Sequence, residues 1–380
     1  MKNLKILAFA VGLLFLAHAA GAQWTAPKRL TWTSGSSENP ELAVDIYGYV
    51  HVVWWDATPG HYEIYYAKSS DGGSNWTSAR RLTWTGGSSI PDVAVDSLGQ
   101  VHVVWVGDTS ENAEIFYKKS PDGGETWTAN KRLTWTSGQS LMPAIAVSAF
   151  DVLHVAWSDN TSLNYEIYFR KSTDGGTSWM ANKRLTWTED SSYIGDMVVD
   201  SAGNPHIIWE DLSPYEIFHK MGINEGLTWA TSQRLTWNSG GSGWPSVAAE
   251  SAGHIHVVWE DLTPGNSEIF YKRSPNLGLS WAAHQRLTWN SSQSRYPAVA
   301  ADSDGNVHVV WQDDTSGDFE IYCRKSSDGG SSWAASQRLT WTPGWSQNPA
   351  IAADPSGNLH LVWHDSTPGN TEIYYKKYIK

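Results

Sequence analysis

The string Arg-Leu-Thr-Trp occurs seven times, starting at Arg29, Arg81, Arg132, Arg184, Arg234, Arg286 and Arg338, at spacings of 50 to 52 residues. Two further strings keep the same period. His-(Val/Ile/Leu)-(Val/Ala/Ile)-Trp ends at Trp54, Trp105, Trp157, Trp209, Trp259, Trp311 and Trp363. Glu-Ile-(Tyr/Phe) begins at Glu63, Glu114, Glu166, Glu216, Glu268, Glu320 and Glu372. A unit of this length, made of short strand-like runs, cannot bury an apolar face alone, but copies arranged radially can. The chain is therefore expected to be all-β: a seven-bladed β-propeller of four-stranded antiparallel blades.

Each repeat reads as four strands. Strand A is an Ala/Val run such as Pro91–Val95, small enough for the crowded axis. Strand B is Val101–Trp105, and strand C an aromatic-rich run such as Glu63–Lys68. Strand D ends in the Arg-Leu-Thr-Trp string. Gly, Asp, Asn and Pro cluster between these runs, as turns require. No amphipathic helix is evident. The last repeat lacks a strand D, and the chain offers an orphan one at Trp24–Trp32, so that strand is expected to close the ring against Glu372 and its neighbours. Of the 24 tryptophans, 21 fall at repeated positions. Such indoles are expected to pack between neighbouring blades.

Lys2 and Lys5 precede the apolar run Ile6–Ala19, which ends in Ala20-Gly21-Ala22. This is the pattern of a cleaved secretory leader, residues 1–22. Residues 23–380 are then one propeller domain, secreted or periplasmic, with no membrane insertion. The single cysteine, Cys323, excludes an internal disulfide, and the formal charge of −12 disfavours nucleic acid as a partner. A closed ring of this kind is expected to be monomeric.

The turns between strands C and D read Ser69-Ser-Asp-Gly-Gly-Ser-Asn-Trp76, Ser120-Pro-Asp-Gly-Gly-Glu-Thr-Trp127, Ser172-Thr-Asp-Gly-Gly-Thr-Ser-Trp179 and Ser326-Ser-Asp-Gly-Gly-Ser-Ser-Trp333. Asn224 and Asn276 stand for the Asp in two degenerate copies. These turns resemble the Asp-box of the BNR repeat in the sialidase-like β-propeller superfamily. The resemblance spans residues 23–380. It implies the propeller fold and a choice among sialidases, other glycosidases, lectins and binding scaffolds. The Arg-Ile-Pro motif of sialidases is missing, and the arginines here are mostly the seven repeated ones.

The repeated polar residues read as scaffold. Each Glu of strand C is followed by the Arg of strand D after 18 residues in six repeats, which makes them cross-hairpin ion pairs, worth ~0–1 kcal/mol each if exposed. The seven histidines His51, His102, His154, His206, His256, His308 and His360 cannot converge on one ion, and read as hydrogen-bonded structural groups. Asp302-Ser-Asp-Gly-Asn306 occupies an ordinary A–B turn, not a calcium loop. No catalytic residue, metal or cofactor is assigned. Function is expected instead from blade-specific residues of the D–A and B–C loops at the channel mouth: Asn39, Trp55, Met142, Tyr193, Trp244, Arg295, Tyr296 and Trp345. Exposed aromatic faces suit a sugar ring or a peptide. The reading is a non-catalytic propeller that binds glycan or another extracellular polymer. A sialidase-like exo-glycoside hydrolase and a protein-interaction scaffold at the cell surface remain as alternatives.

Overall fold

A computed structural model describes residues 23–380; the expected leader lies outside the described residues. Seven antiparallel sheets follow one another around an axis, and no described residue is helical. In the first blade strand A is Ser37–Val44, B Val50–Asp56, C Glu63–Ser69 and D Arg80–Arg81. The inner strands of the other blades are Ser88–Val95, Ser140–Val147, Ser192–Val199, Ser242–Ala249, Ser294–Ala301 and Ser346–Ala353. Strand A starts earlier than the Ala/Val run suggested, because the last residues of each D–A loop pair with strand B.

The ring closes as the sequence requires. Gln23–Trp24 and Lys28–Arg29 pair with Glu372–Ile379, with Trp24 opposite Tyr378 and Arg29 opposite Tyr374. Closure leaves no blade with an unpaired outer strand, the edge that would otherwise template aggregation.

Strand B carries the core. Its seven tryptophans are fully buried between sheets, among Val, Ile and Leu of the flanking blade. At its other end, the repeated histidines are equally buried, and six of the seven are hydrogen-bonded. His51 Nδ1 lies 2.8 Å from the Tyr66 hydroxyl, which reaches Gly123 O of the next blade at 3.4 Å. The Asp-box indole of that next blade, Trp127, meets the Tyr66 ring edge-on at 5.0 Å. Four blades keep the His–Tyr bond. His206 instead meets His219 at 3.0 Å. His154 packs against Phe169 with neither ring nitrogen bonded.

The repeated residues bring one refinement and one correction. The Glu–Arg pairs all form, at 2.6–2.9 Å, but they are not surface pairs: every Glu is buried. Glu63 Oε1 also accepts the Gly86 N–H at 2.9 Å, and Oε2 accepts the Thr83 hydroxyl. Second, the tryptophans of Arg-Leu-Thr-Trp are not core. They are 64 to 71% exposed, in a ring around the outer strands. Each lies over the guanidinium of its own string at 5.5–5.8 Å, a cation–π contact that covers the ion pair from outside. The arginine reaches outward over its carboxylate, so the indole above it has no neighbouring blade to enter.

Two outcomes follow for stability. Deleting Gln23–Thr33 opens the ring, so the melting transition should fall steeply; an unchanged transition refutes closure. Glu63→Gln removes a buried carboxylate and leaves the half-buried Arg81 guanidinium without its counter-charge, and should cost about 2–4 kcal/mol in chemical denaturation, against the near-zero cost of an exposed pair.

The channel mouth as candidate functional site

Strand A does not run straight from the D–A loop. Its register with strand B slips by a bulge in every blade, between Glu38 and Glu41 in the first and at equivalent points in the others. Six blades place a Pro in the bulge, which has no N–H to leave unpaired. The residue before it takes a left-handed conformation: Asn39, Ile90, Met142, Trp244, Tyr296 and Asn348 have φ between 47° and 52°. This geometry is uncommon for non-glycine residues, and rarer still for β-branched Ile90. It turns the side chain out of the sheet and towards the axis. In the fourth blade Gly195 stands in the proline's place, where a Cβ would come within 2.5 Å of Pro245.

The result is a cavity of about 510 Å³ at one end of the central channel. Its rim has one residue per blade: Asn39, Ile90, Met142, Ile194, Trp244, Tyr296 and Asn348. The rim is asymmetric. Asn348 Nδ2 donates to Asn39 Oδ1 at 2.6 Å, forming an amide arc. Ile90, Met142 and Ile194 form an apolar arc. Trp244 and Tyr296 pack with ring centroids 4.8 Å apart, and Trp244 remains 40% exposed.

Glu41, Asp92 and Asp196 line the cavity from strand A. Asp92 accepts the N–H of Val93 and of Ile145 in the next blade, each at 2.7 Å. Asp196 does the same across the junction of the fourth and fifth blades, from Met197 at 2.7 Å and Val247 at 2.9 Å. Enclosure by protein raises the Asp92 carboxyl to about 7 and the Asp196 carboxyl to about 6. Glu41 is raised too, by enclosure first and by the charges of Asp92 and Asp196 next. Water still reaches Glu41 along the channel, which limits the size of its shift without reversing it. Among the described residues, no Lys or Arg lines the cavity.

A second layer holds the rim. The residue after each strand-B tryptophan differs between blades, and in four of them it caps the bulge N–H of the next blade. Ser158 Oγ accepts from Ile194, Glu210 Oε2 from Trp244, Gln312 Oε1 from Asn348 and His364 Nδ1 from Asn39, at 2.8–3.3 Å. Burial holds His364 down to about 4, leaving its ring neutral and able to accept. Burial raises Glu210, and raises Glu260 to about 7. These caps and the channel carboxylates were missed in the sequence. Their signal was blade-to-blade variation at one fixed offset inside an otherwise repeated unit.

Among the residues singled out from sequence, Asn39, Met142, Trp244 and Tyr296 line the cavity. The other four lie outside its lining. Arg295 sits beside Glu260, whose carboxyl its charge lowers. Tyr193 packs on Tyr165 at 5.0 Å, and Trp55 on Tyr62 at 5.1 Å. Trp345 is exposed and donates from Nε1 to Asp318 at 3.1 Å, on the B–C loop of the sixth blade.

The channel acids set a pH dependence. A carboxyl raised by folding favours the protonated fold, so its contribution is whole below about 3.9, the unfolded value, and is lost as pH rises through about 7. Asp92→Asn removes that titration. Its stability relative to wild type should therefore improve between pH 4.5 and pH 8 in urea unfolding; an identical difference at both pH values contradicts the shift.

No family model matches the chain, and no curated protein matches it. Solved structures do. A protein of unknown function from Dyadobacter fermentans superposes over 77% of this chain and 94% of its own, at 17% identity and a TM-score of 0.57. The GH93 α-L-arabinofuranosidase of Fusarium graminearum, solved with arabinobiose, covers 94% of this chain and 97% of its own, at 13% identity and a TM-score of 0.57. A point mutant of the NanB sialidase of Streptococcus pneumoniae covers 93% and 70%, at 12% identity and a TM-score of 0.54. Identities this low speak for architecture, and the chain has the seven-bladed fold of the sialidase-like propellers.

Proposed function

We propose that this is a secreted glycan-binding propeller, and that its ligand is an uncharged sugar residue of an extracellular polymer seated in the channel mouth. The observation that supports it best is the asymmetric rim. Trp244 and Tyr296 offer aromatic faces for the apolar side of a pyranose or furanose ring. The Asn39–Asn348 amides and the channel carboxyls offer donors and acceptors for its hydroxyls. The cavity volume lies within the range of small-ligand pockets. Acidic groups without a lining cation disfavour a sialic acid or other carboxylated sugar. The solved sialidase and arabinofuranosidase of the same fold act on glycans by their names, which fits this reading.

One observation favours a glycoside hydrolase as the second reading. Glu210 and Glu260 are raised carboxyls that feel one another near Tyr215 and Tyr296, outside the repeated positions. Raised acids of this kind serve glycosidases as proton donors. Each also has a structural partner: Glu210 takes the Trp244 N–H, and Glu260 the Ser267 hydroxyl at 3.0 Å. The binding reading therefore stands first.

A glycan array on the protein should show neutral oligosaccharides bound and sialosides ignored. Trp244→Ala with Tyr296→Ala should lower affinity about 5- to 30-fold, the loss expected when sugar stacking worth ~1–2 kcal/mol is removed. Binding that survives this change, but is lost on altering the Asp-box turns, places the ligand on the opposite face. The same array ligands should remain intact on prolonged incubation. Turnover that disappears in Glu260→Gln would establish the hydrolase instead.

A further inference from the structure

We infer a binding site for one divalent transition-metal ion at the A–B turn of the fifth blade, formed by Glu250, His254 and His256. It lies at the opposite end of the strands from the channel mouth and is independent of the sugar-binding reading. One donor atom from each of the three side chains lies within 4.8 Å of the others. Glu250 Oε2 is 3.0 Å from His254 Nδ1, and Oε1 is 2.8 Å from His256 Nε2. Ligands at roughly 2.0–2.2 Å from a zinc-like ion stand about 3–3.5 Å apart, so side-chain rotation alone assembles the set.

The repeat supplies the comparison. Five other blades carry Asp where this one has Glu250: Asp45, Asp96, Asp200, Asp302 and Asp354. There Oδ1 accepts two turn N–H groups, as Asp302 does from Asp304 and Asn306, each at 3.0 Å. Those aspartates are occupied by their own turn. In the fifth blade the backbone still closes the turn, through Glu250 N to His254 O at 2.9 Å and Gly253 N to Glu250 O at 3.0 Å. The longer Glu side chain instead turns both oxygens to imidazole nitrogens. His254 replaces the Tyr49, Gln100, Asn204, Asn306 or Asn358 of those five blades. Two departures at one turn create a second imidazole and a carboxylate free to meet it.

The surroundings suit an ion. His256 Nδ1 is 2.7 Å from the Tyr271 hydroxyl, an outer partner that fixes the ring and leaves Nε2 facing the site. Glu250 and His256 are buried, and the His254 side chain is 31% exposed, which gives an entry from solvent. Two glycines of the sixth blade border it without filling it. A Cβ at Gly305 would stand 3.7 Å from Glu250 Oε2, and one at Gly329 would stand 3.8 Å from His254 Nδ1. Arg273, on the neighbouring strand, spends its Nη1 on Gly329 O at 2.5 Å. Two imidazoles and one carboxylate select zinc, cobalt or nickel over calcium or magnesium, with water completing the coordination.

The test uses metal-free protein titrated with Zn²⁺ by calorimetry and with Co²⁺ by visible absorption. Wild type should take one ion of each kind per chain, raise its melting temperature on loading and give no heat with Ca²⁺. The double substitution Glu250→Asp with His254→Asn installs the turn of the sixth and seventh blades. It should keep the metal-free melting temperature and weaken binding about 100-fold or more, while Tyr271→Phe should weaken it about 10-fold or more. If the double variant does not fold, His254→Asn alone is judged by the same binding criterion. No stoichiometric binding by wild type, or equal binding by the variant, overturns the site.

Discussion

A buried carboxylate on strand C governs how each blade ends. Strand D pairs with strand C over only two residues, too few to hold an edge strand by its ladder. The Glu side chain does what the ladder does not. In the second blade Glu114 Oε1 binds Arg132 Nη2 at 2.7 Å and the Thr136 N–H at 2.9 Å. The first contact fixes strand D and the second fixes the start of the D–A loop. That loop ends in the bulge that aims Met142 at the channel. A charged group buried against solvent-facing structure is costly unless fully paired, which is why the guanidinium, a threonine hydroxyl and an indole lid recur with it.

Seven copies of that unit need only be joined to make the molecule. The strand-B tryptophans fill the space between sheets, Tyr–Trp contacts tie four blades to the Asp-box of the next, and three of those tyrosines also reach its glycine carbonyl. The departures from this pattern are local. His154 loses both its partners because Ser148 and Phe169 replace an acid and a tyrosine, and burial holds it down to about 3, so it stays neutral. The scaffold tolerates such a loss because each blade contacts only its neighbours.

Repetition made the fold legible from sequence: the blade number, strand order, closure by Trp24–Trp32 and the Glu–Arg pairing all follow from fixed spacings. Spacing is silent on which side of a residue is covered. That is why the Arg-Leu-Thr-Trp indoles, such as Trp84, read as core when they are exposed, and why the burial of Glu63 stays open until the fold is seen. Half of the aromatic and amide residues singled out for the site line the cavity; the others share the same loops but point elsewhere, as Trp345 does towards Asp318. Side-chain direction there depends on the bulge and its positive φ, which no residue type in the loop announces. The carboxylates Glu41, Asp92 and Asp196 were hidden by their place in a run of small residues.

The scaffold and the site thus use different parts of one repeat. Identical residues build the ring, and the positions free to vary, the rim and its caps, differ around the channel. Hydrogen–deuterium exchange with and without a bound neutral oligosaccharide tests this division most directly. Protection should fall on the inner strands at Ser242–Ala249 and Ser294–Ala301, with the C–D turns unchanged. Protection confined to the turns around Asp71, Asp122, Asp174 and Asp328 would contradict it.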